Sequence, residues 1–256
     1  MRNLKLLLEY DGTNYVGWQV QLNGVSIQEV LEKRLEEILK EPVKVQGAGR
    51  TDSGVHALGM VANVHTSRAI PTDALRRALN SRLPEDIAVR GVEEAGEAFD
   101  ARHSCTGKHY RYTVFCGDRP PVFIRLRVFP CKYSLDVERM RVGARHLLGE
   151  HDFTAFRAAN CAAASPVRNL RSLDVTQDGP LVHFDFKATG YLYKMVRNIT
   201  GTLIDVGRGF LAPEDVKDIL ETKDRSRCGT TVPARGLVLV ETFYDQGDVR
   251  AVRYSG

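Results

Sequence analysis

Between Ser26 and Pro42 the apolar residues Ile27, Val30, Leu31, Leu35, Ile38 and Leu39 recur at the spacing of one helix face, and the flanking segments do not keep that period. This change of period limits the fold classes open to the chain. Ser26 and Glu29 form a capping box at the start of the segment, and Pro42 ends it. "LKLLLEY" (4–10) before it, and "VKVQG" (43–47) and "MVANVHT" (60–66) after it, read as strands. Thr72 to Leu83 reads as a second amphipathic helix and residues 87–92 as a strand.

The second half repeats this style. "KHYRYTVF" (108–115) reads as a strand, Ser134 caps a helix that runs to Leu148 and stops at Gly149, and "RSLDVTQDGPLVHFDFKATG" gives two strands around an Asp-Gly-Pro turn. "YLYKMVRNITGTLIDVG" reads as a helix ending at Gly207, Pro213 opens a short helix, and 237–244 is the last strand. The order predicts an α+β protein of two similar halves, 1–104 and 105–256, each a mostly antiparallel sheet covered by helices, with a central cleft as the place for a site.

At 256 residues the chain is long enough for such halves to have real cores. No run approaches the length of a membrane span, and "MRNLKLLLEYDG" carries no cleavage-site pattern, so a cytoplasmic location is expected. The five cysteines are scattered without a CxxC pair, which argues against both a disulfide framework and a zinc site. Net charge is only +4, but residues 101–147 hold ten Lys/Arg against three acids, beside an acidic stretch at 85–100. A basic block of this kind suits a polyanion partner and equally a solvated charged face.

Three stretches stand out chemically. "GAGRTDSGVHALG" (47–59) sets one carboxylate, Asp52, on a glycine-rich turn between two strands. It lacks the Gly-Lys-Ser/Thr ending of a phosphate loop and the pattern of a hydrolase elbow. On residues alone a turn aspartate bonding its own backbone is the leading account. Arg50 beside it favours an ionised carboxylate able to act as nucleophile or base. In "KHYRYTVF", Tyr110 and Tyr112 share one strand face, with Lys108, His109 and Arg111 supplying charge; this fits base stacking, and fits a half-buried sheet as well. In "YKMVRNITG", Arg197 lies off the centre of the apolar stripe, flanking the buried face.

"GRTDSGVHA" resembles the signature of the tRNA pseudouridine synthase A (TruA) family. "YDGTNYVGWQVQ", "SIQEVLE", "KHYRYTV", "HDFTAFRA", "MVRNITG" and "PARGLVLV" resemble further motifs of that family, in the same order over almost the whole chain. The resemblance implies the pseudouridine synthase fold and an isomerase (an intramolecular transferase) that converts uridine to pseudouridine at positions 38–40 in the anticodon stem-loop of tRNA. It implies no cofactor and no metal, and a homodimer that binds tRNA. It carries the essential aspartate to Asp52, its neighbouring arginine to Arg50, the tyrosine that packs on the target base to Tyr110, and the arginine that pairs with and orients the aspartate to Arg197. Ser53 stands where the family often has alanine. The target base must leave its stack to react, which costs a few kcal/mol. Two other classes are weighed: a non-catalytic tRNA-binding protein or folding chaperone on the same fold, and a nucleoside or glycoside hydrolase, which would want a second carboxylate.

Overall fold

A strand with one wet face alternates apolar and polar residues, and "LKLLLEY" does not. In the structure, a computed structural model that describes residues 1–159 and 161–245, that run is β1 (Arg2–Tyr10), and every residue from Asn3 to Leu8 is buried. The chain forms two compact units, Met1–Thr106 with the chain from Leu239, and Gly107–Val238.

The first unit begins with β1 and continues through α1 (Ile27–Leu39), β2 (Val45–Gly47), β3 (His56–Thr66), α2 (Thr72–Asn80) and β4 (Ile87–Ala95). β1 lies between β3 and β4, antiparallel to both, and β2 pairs with β3. The register sets Leu4, Leu6 and Leu8 opposite Val64, Ala62 and Met60, and all six are sealed from solvent. Ile27, Leu31, Leu35 and Leu39 of α1 and Leu75 and Leu79 of α2 are buried too; each such leucine contributes about 1.5–3 kcal/mol through lost apolar hydration. On the alternate positions of β1, beside the apolar Leu7, two buried groups are polar and paired. Asn3 donates to the carbonyls of Gly96 and Phe99, while Lys5 meets Glu93 at 3.0 Å and lies over the rings of Phe99 and Tyr244.

The capping box at Ser26 forms as expected in its first half, the Ser26 hydroxyl accepting from the Glu29 N–H. The helix ends at Leu39, earlier than Pro42 requires, because Lys40 turns left-handed (φ 56°) and its N–H closes on the Glu36 carbonyl. Glu32, on the inner face of α1, is a buried carboxylate with a purpose: it accepts from the backbone N–H of Val45 and from Gln28, and meets Lys44 at 3.3 Å, which satisfies the outer edge of the short strand β2.

The second unit holds β5 (Cys105–Cys116), β6 (Phe129–Cys131), α3 (Val137–Arg145), β7 (Gly149–Asp152), β8 (Val167–Asp178), β9 (Leu181–Ala188), α4 (Met195–Gly207) and α5 (Asp215–Thr222). The strand order is β5-β9-β8-β7, antiparallel throughout, with β6 running parallel to β5. The expected turn at Asp178-Gly179-Pro180 joins β8 to β9, Gly179 taking a positive φ of 53°. The expected cap of α3 is displaced by two residues. Asp136, not Ser134, accepts the Arg139 N–H; this leaves Leu135 buried just outside the helix and starts the helix with Met140 in the core. Gly149 (φ 98°) likewise opens β7 instead of ending α3 directly.

The final strand, β10 (Leu237–Tyr244), returns from Leu239 onward to the first unit beside β3. Thr242 donates to the Gly59 carbonyl and Tyr244 to the Ala101 carbonyl. Residues 56–59, read from the sequence as part of a glycine loop, are therefore strand; Gly59 is there because a Cβ would stand 2.4 Å from the Val240 carbonyl oxygen.

The core of the second unit centres on α4, almost every residue of which is buried. Glycines set how closely its neighbours approach. A Cβ on Gly207 would stand 2.8 Å from the Met140 sulfur, and one on Gly201 would stand 1.9 Å from the carbonyl oxygen of Thr230. The second clash is with backbone and cannot be relieved by a rotamer change. Gly201→Ala is expected to destabilise by about 3 kcal/mol, the upper end of overpacking costs, seen as a fall of several degrees in the thermal midpoint of the second unit. A midpoint unchanged within a degree would show that the 229–231 backbone yields freely.

Candidate active site

Asp52 sits in the turn between β2 and β3, and the loop after β1 makes that turn rigid. "YDGTNYVGWQ" lies directly on it because two glycines remove the side chains that would intervene. A Cβ on Gly12 would stand 2.0 Å from the Val55 carbonyl oxygen, and one on Gly17 would stand 2.4 Å from that of Thr51. Gly17 also has φ 108°, which a side chain resists, and forms a β-bridge with Asp52. The Trp18 N–H donates to the Thr51 carbonyl, the Gly54 N–H and the Ser53 hydroxyl donate to the Tyr15 carbonyl, and the hydroxyls of Tyr10 and Thr51 meet at 2.9 Å. Within the turn the Val55 N–H closes on the Asp52 carbonyl, with Gly54 at φ 77°. The indole of Trp18 in turn covers Gly47, at the end of β2.

This arrangement answers why the stretch is both polar and glycine-rich. Its glycines serve a backbone clamp, and the clamped turn presents a half-buried carboxylate. His56, buried behind the turn, is an internal brace: its Nδ1 accepts from the Gly12 N–H at 3.1 Å and lies 3.1 Å from the Asp11 carboxylate. Arg50 is exposed and makes no ion pair among the described residues.

In the second unit, Tyr110 is buried on β5 with its ring edge-on to Tyr191, centroids 5.1 Å apart. The Tyr191 hydroxyl lies 2.8 Å from the Phe186 carbonyl and 3.1 Å from that of Lys108, which locks the supporting ring in place. Burial raises the pKa of Tyr191 and keeps its hydroxyl a proton donor. The other tyrosine of the motif is structural. Tyr112 is sealed from solvent, its hydroxyl donates to the Pro233 carbonyl, and its ring lies against Gly236.

The charges beside these tyrosines are engaged differently from the sequence expectation. Arg111 binds Asp185 of β9 through two hydrogen bonds of 2.9 and 3.0 Å, and His109 meets the same carboxylate at 2.6 Å. Burial pushes the Asp185 pKa up, but the bonds from His109 and Arg111 outweigh it and hold the carboxyl below its ordinary range. Their charge is thus answered inside the sheet by a residue whose role no local motif announced.

Arg197 lies in the first turn of α4, half-buried at the flank of the apolar stripe, as the helical spacing predicts. Its Nε donates to the Val232 carbonyl at 2.8 Å, and the Val232 N–H returns a bond to the Arg197 carbonyl. A strap of residues 225–232 holds this geometry. Asn198, next in the motif, donates to the Phe156 carbonyl and accepts from Arg225 and from the Thr231 hydroxyl, while the Gly229 N–H donates to Thr202. Asn198, Arg225 and Tyr191 are positioning residues that the sequence reading passed over; the asparagine stands inside "MVRN", but what it holds is 27 to 42 residues away.

Among the described residues no group of three or more His, Cys, Asp or Glu is placed to hold a metal, and no helix is long and apolar enough to cross a membrane. Among the described residues none of the five cysteines forms a disulfide. A hollow of about 220 Å³ in the second unit is lined in part by His146, by Lys223 and by His151 and Asp152, the start of "HDFTAFRA"; it holds none of Asp52, Arg50, Tyr110 and Arg197, and Lys223 there is already paired with Asp152 at 2.7 Å.

The clamp on the Asp52 turn makes a specific demand on Gly17. Gly17→Ala is expected to push the Thr51–Asp52 backbone outward and to cut single-turnover activity at least about 100-fold, the scale for an ångström of misplacement, while far-ultraviolet dichroism stays native. Full activity in that variant would show the clamp to be dispensable.

The model of the family described as tRNA pseudouridine synthase matches residues 7–104 and 144–245, taking in both the Asp52 turn and the Arg197 helix. A tRNA pseudouridine synthase A of Geotalea uraniireducens (strain Rf4) is 49% identical over 244 residues, 95% of this chain and 100% of its own length. Proteins of the same description from Geobacter sulfurreducens and Clostridium kluyveri are 48% and 45% identical, covering 93% and 95% of this chain and 98% and 100% of their own. One chain of a solved Cbf5-Nop10-Gar1 complex overlays 93% of this chain on 50% of its own at 14% identity and a TM-score of 0.39, a likeness too slight to carry an argument. Matched across both units and along nearly the full length of its relatives, the chain belongs to the tRNA pseudouridine synthase family.

Proposed function

We propose that this protein isomerises uridine to pseudouridine at positions 38–40 of the tRNA anticodon stem-loop, with Asp52 as the catalytic carboxylate. The observation that carries the assignment is the turn itself: a half-buried carboxylate held by backbone contacts that only glycines at 12 and 17 permit. In the reaction the N1–C1′ bond breaks, the uracil turns, and C5 bonds to C1′; C5 gives up its proton and N1 gains one, so nothing is added or removed overall. Asp52 attacks C1′, adds to C6 or takes the C2′ proton; each first step needs the carboxylate ionised. Arg197 is the residue we assign to pair with and orient it, its fork aimed by the bond to the Val232 carbonyl. Arg50, exposed beside the turn, adds positive charge on the substrate side. Tyr110, backed edge-on by Tyr191, stacks on the extruded base and returns about 1–3 kcal/mol of its unstacking cost.

In this reading the segment 1–104 supplies the aspartate and 105–256 the tyrosine and the arginine. The protein works as a homodimer in the cytoplasm, without cofactor or metal. The alternatives make different products: a glycosidase would release free uracil, and a non-catalytic tRNA-binding protein would bind without turnover.

Release of tritium from C5-labelled uridine in unmodified tRNA transcripts tests the assignment. Wild-type protein is expected to release it, and Asp52→Asn to lose about 10²–10⁴-fold or more. Near-normal turnover in Asp52→Asn would sink the proposal. Arg197→Met keeps the aliphatic stem and loses the hydrogen bond to the Val232 carbonyl, about 1 kcal/mol of stability; it is expected to fold and to lose about 100-fold in rate, whereas outright unfolding would mark Arg197 as structural. Tyr110→Phe preserves the ring contact with Tyr191, so activity within about tenfold of wild type, one lost hydrogen bond at most, is expected, and a larger loss would give the hydroxyl a direct part.

A further inference from the structure

The connection from β5 to β6, residues 117–128, holds the most exposed aromatic side chain among the described residues. Phe123 is 97% exposed, with Val122 at 56% and Leu126 at 38% beside it. An isolated exposed leucine needs no explanation, but a fully exposed phenylalanine in an apolar run does. The loop is not slack. The Ile124 N–H closes on the Pro121 carbonyl and the Arg127 N–H on that of Ile124; Arg125 donates to the Val122 carbonyl at 2.6 Å, and Pro120 and Pro121 stiffen the approach. Phe123 is therefore held out on consecutive turns. Around it stand Arg119, Arg125 and Arg127 against one acid, Asp118. Arg119 is exposed and makes no hydrogen bond or ion pair among the described residues.

We infer that this loop is a second contact for the RNA substrate, in which Phe123 stacks on an unpaired base away from the reacting uridine while Arg119 and Arg125 meet the flanking phosphates. The inference rests on the proposed activity on tRNA. A rigid aromatic framed by guanidinium groups is the chemistry of single-strand recognition, because every base offers a face to stack on and the phosphates supply the opposite charge. It fits a second copy of this chain poorly. A two-fold contact centred on Phe123 would bring the arginines of both copies together, each adding to the other's repulsion.

Phe123→Trp provides the test, because the only natural tryptophan, Trp18, is buried and gives a constant background. Emission from the introduced indole is expected to quench on adding an unmodified tRNA transcript and not on adding a fully paired RNA duplex. Phe123→Ala is expected to raise KM for tRNA by about 5- to 100-fold with kcat within twofold. Arg125→Gln is expected to lower the slope of log affinity against log salt by about 1. Unchanged KM in Phe123→Ala, with tritium release intact, would overturn the inference and leave the proposed activity standing. So would an indole signal that follows protein concentration instead of RNA, with Phe123→Ala sedimenting as a smaller species; this would make the loop a protein–protein contact. Absence of tritium release from the wild-type protein would instead remove the activity on which the inference rests.

Discussion

The contact of backbone on backbone between residues 12–18 and 51–55 is the constraint on which the site depends. A carboxylate on an ordinary glycine-rich turn samples many directions, and one that must meet a single atom of a nucleotide cannot. Here the entropy of the turn is removed by the fold itself, through hydrogen bonds from Trp18, Ser53 and Gly54 and contacts too close for any Cβ. The N-terminus of α1 is tied to the same loop, since the N–H groups of Ile27 and Gln28 donate to the carbonyls of Gly17 and Trp18. Helix, loop and turn thus form one stack, and the stability of the helix becomes precision at the carboxylate.

The second unit solves a related problem with side chains. Arg197 stands on a helix, already a rigid element, yet its long side chain needs aiming. The strap from Arg225 to Val232 does this through Asn198 and Thr202, both buried on α4, where an unpaired polar group would be costly. They turn a flexible arginine into a directed one.

Much of the fold is legible in the sequence because period is a local property: α1 and its serine cap, the hairpin at Asp178–Leu181 and the helix ending at Gly207 follow from residue spacing alone. Where the expectation moved, a partner distant in sequence was responsible. Gly59 looks like a loop residue until β10 lies across it, and Glu32 looks like an exposed charge until the edge of β2 needs an acceptor. Asp136 displaces Ser134 as cap because that start buries Met140. Asp52, Tyr110 and Arg197 could be named as candidates from their motifs. The engagement of Arg111 and His109 by Asp185 could not, because the register of β5 against β9 appears in no single segment.

The return of β10 has a consequence for biosynthesis. The first unit takes its last strand from Leu239 onward, so it is discontinuous in sequence, while 107–238 is continuous. A chain emerging from the ribosome N-terminus first exposes the Asp52 region early, yet the strand that covers Gly59 is made more than 180 residues later. The unit translated second has all its residues before the unit translated first. Vectorial synthesis therefore completes the arginine-bearing half first, and the aspartate-bearing half must wait, with the β3 edge open, until the residues from Leu239 onward have been made.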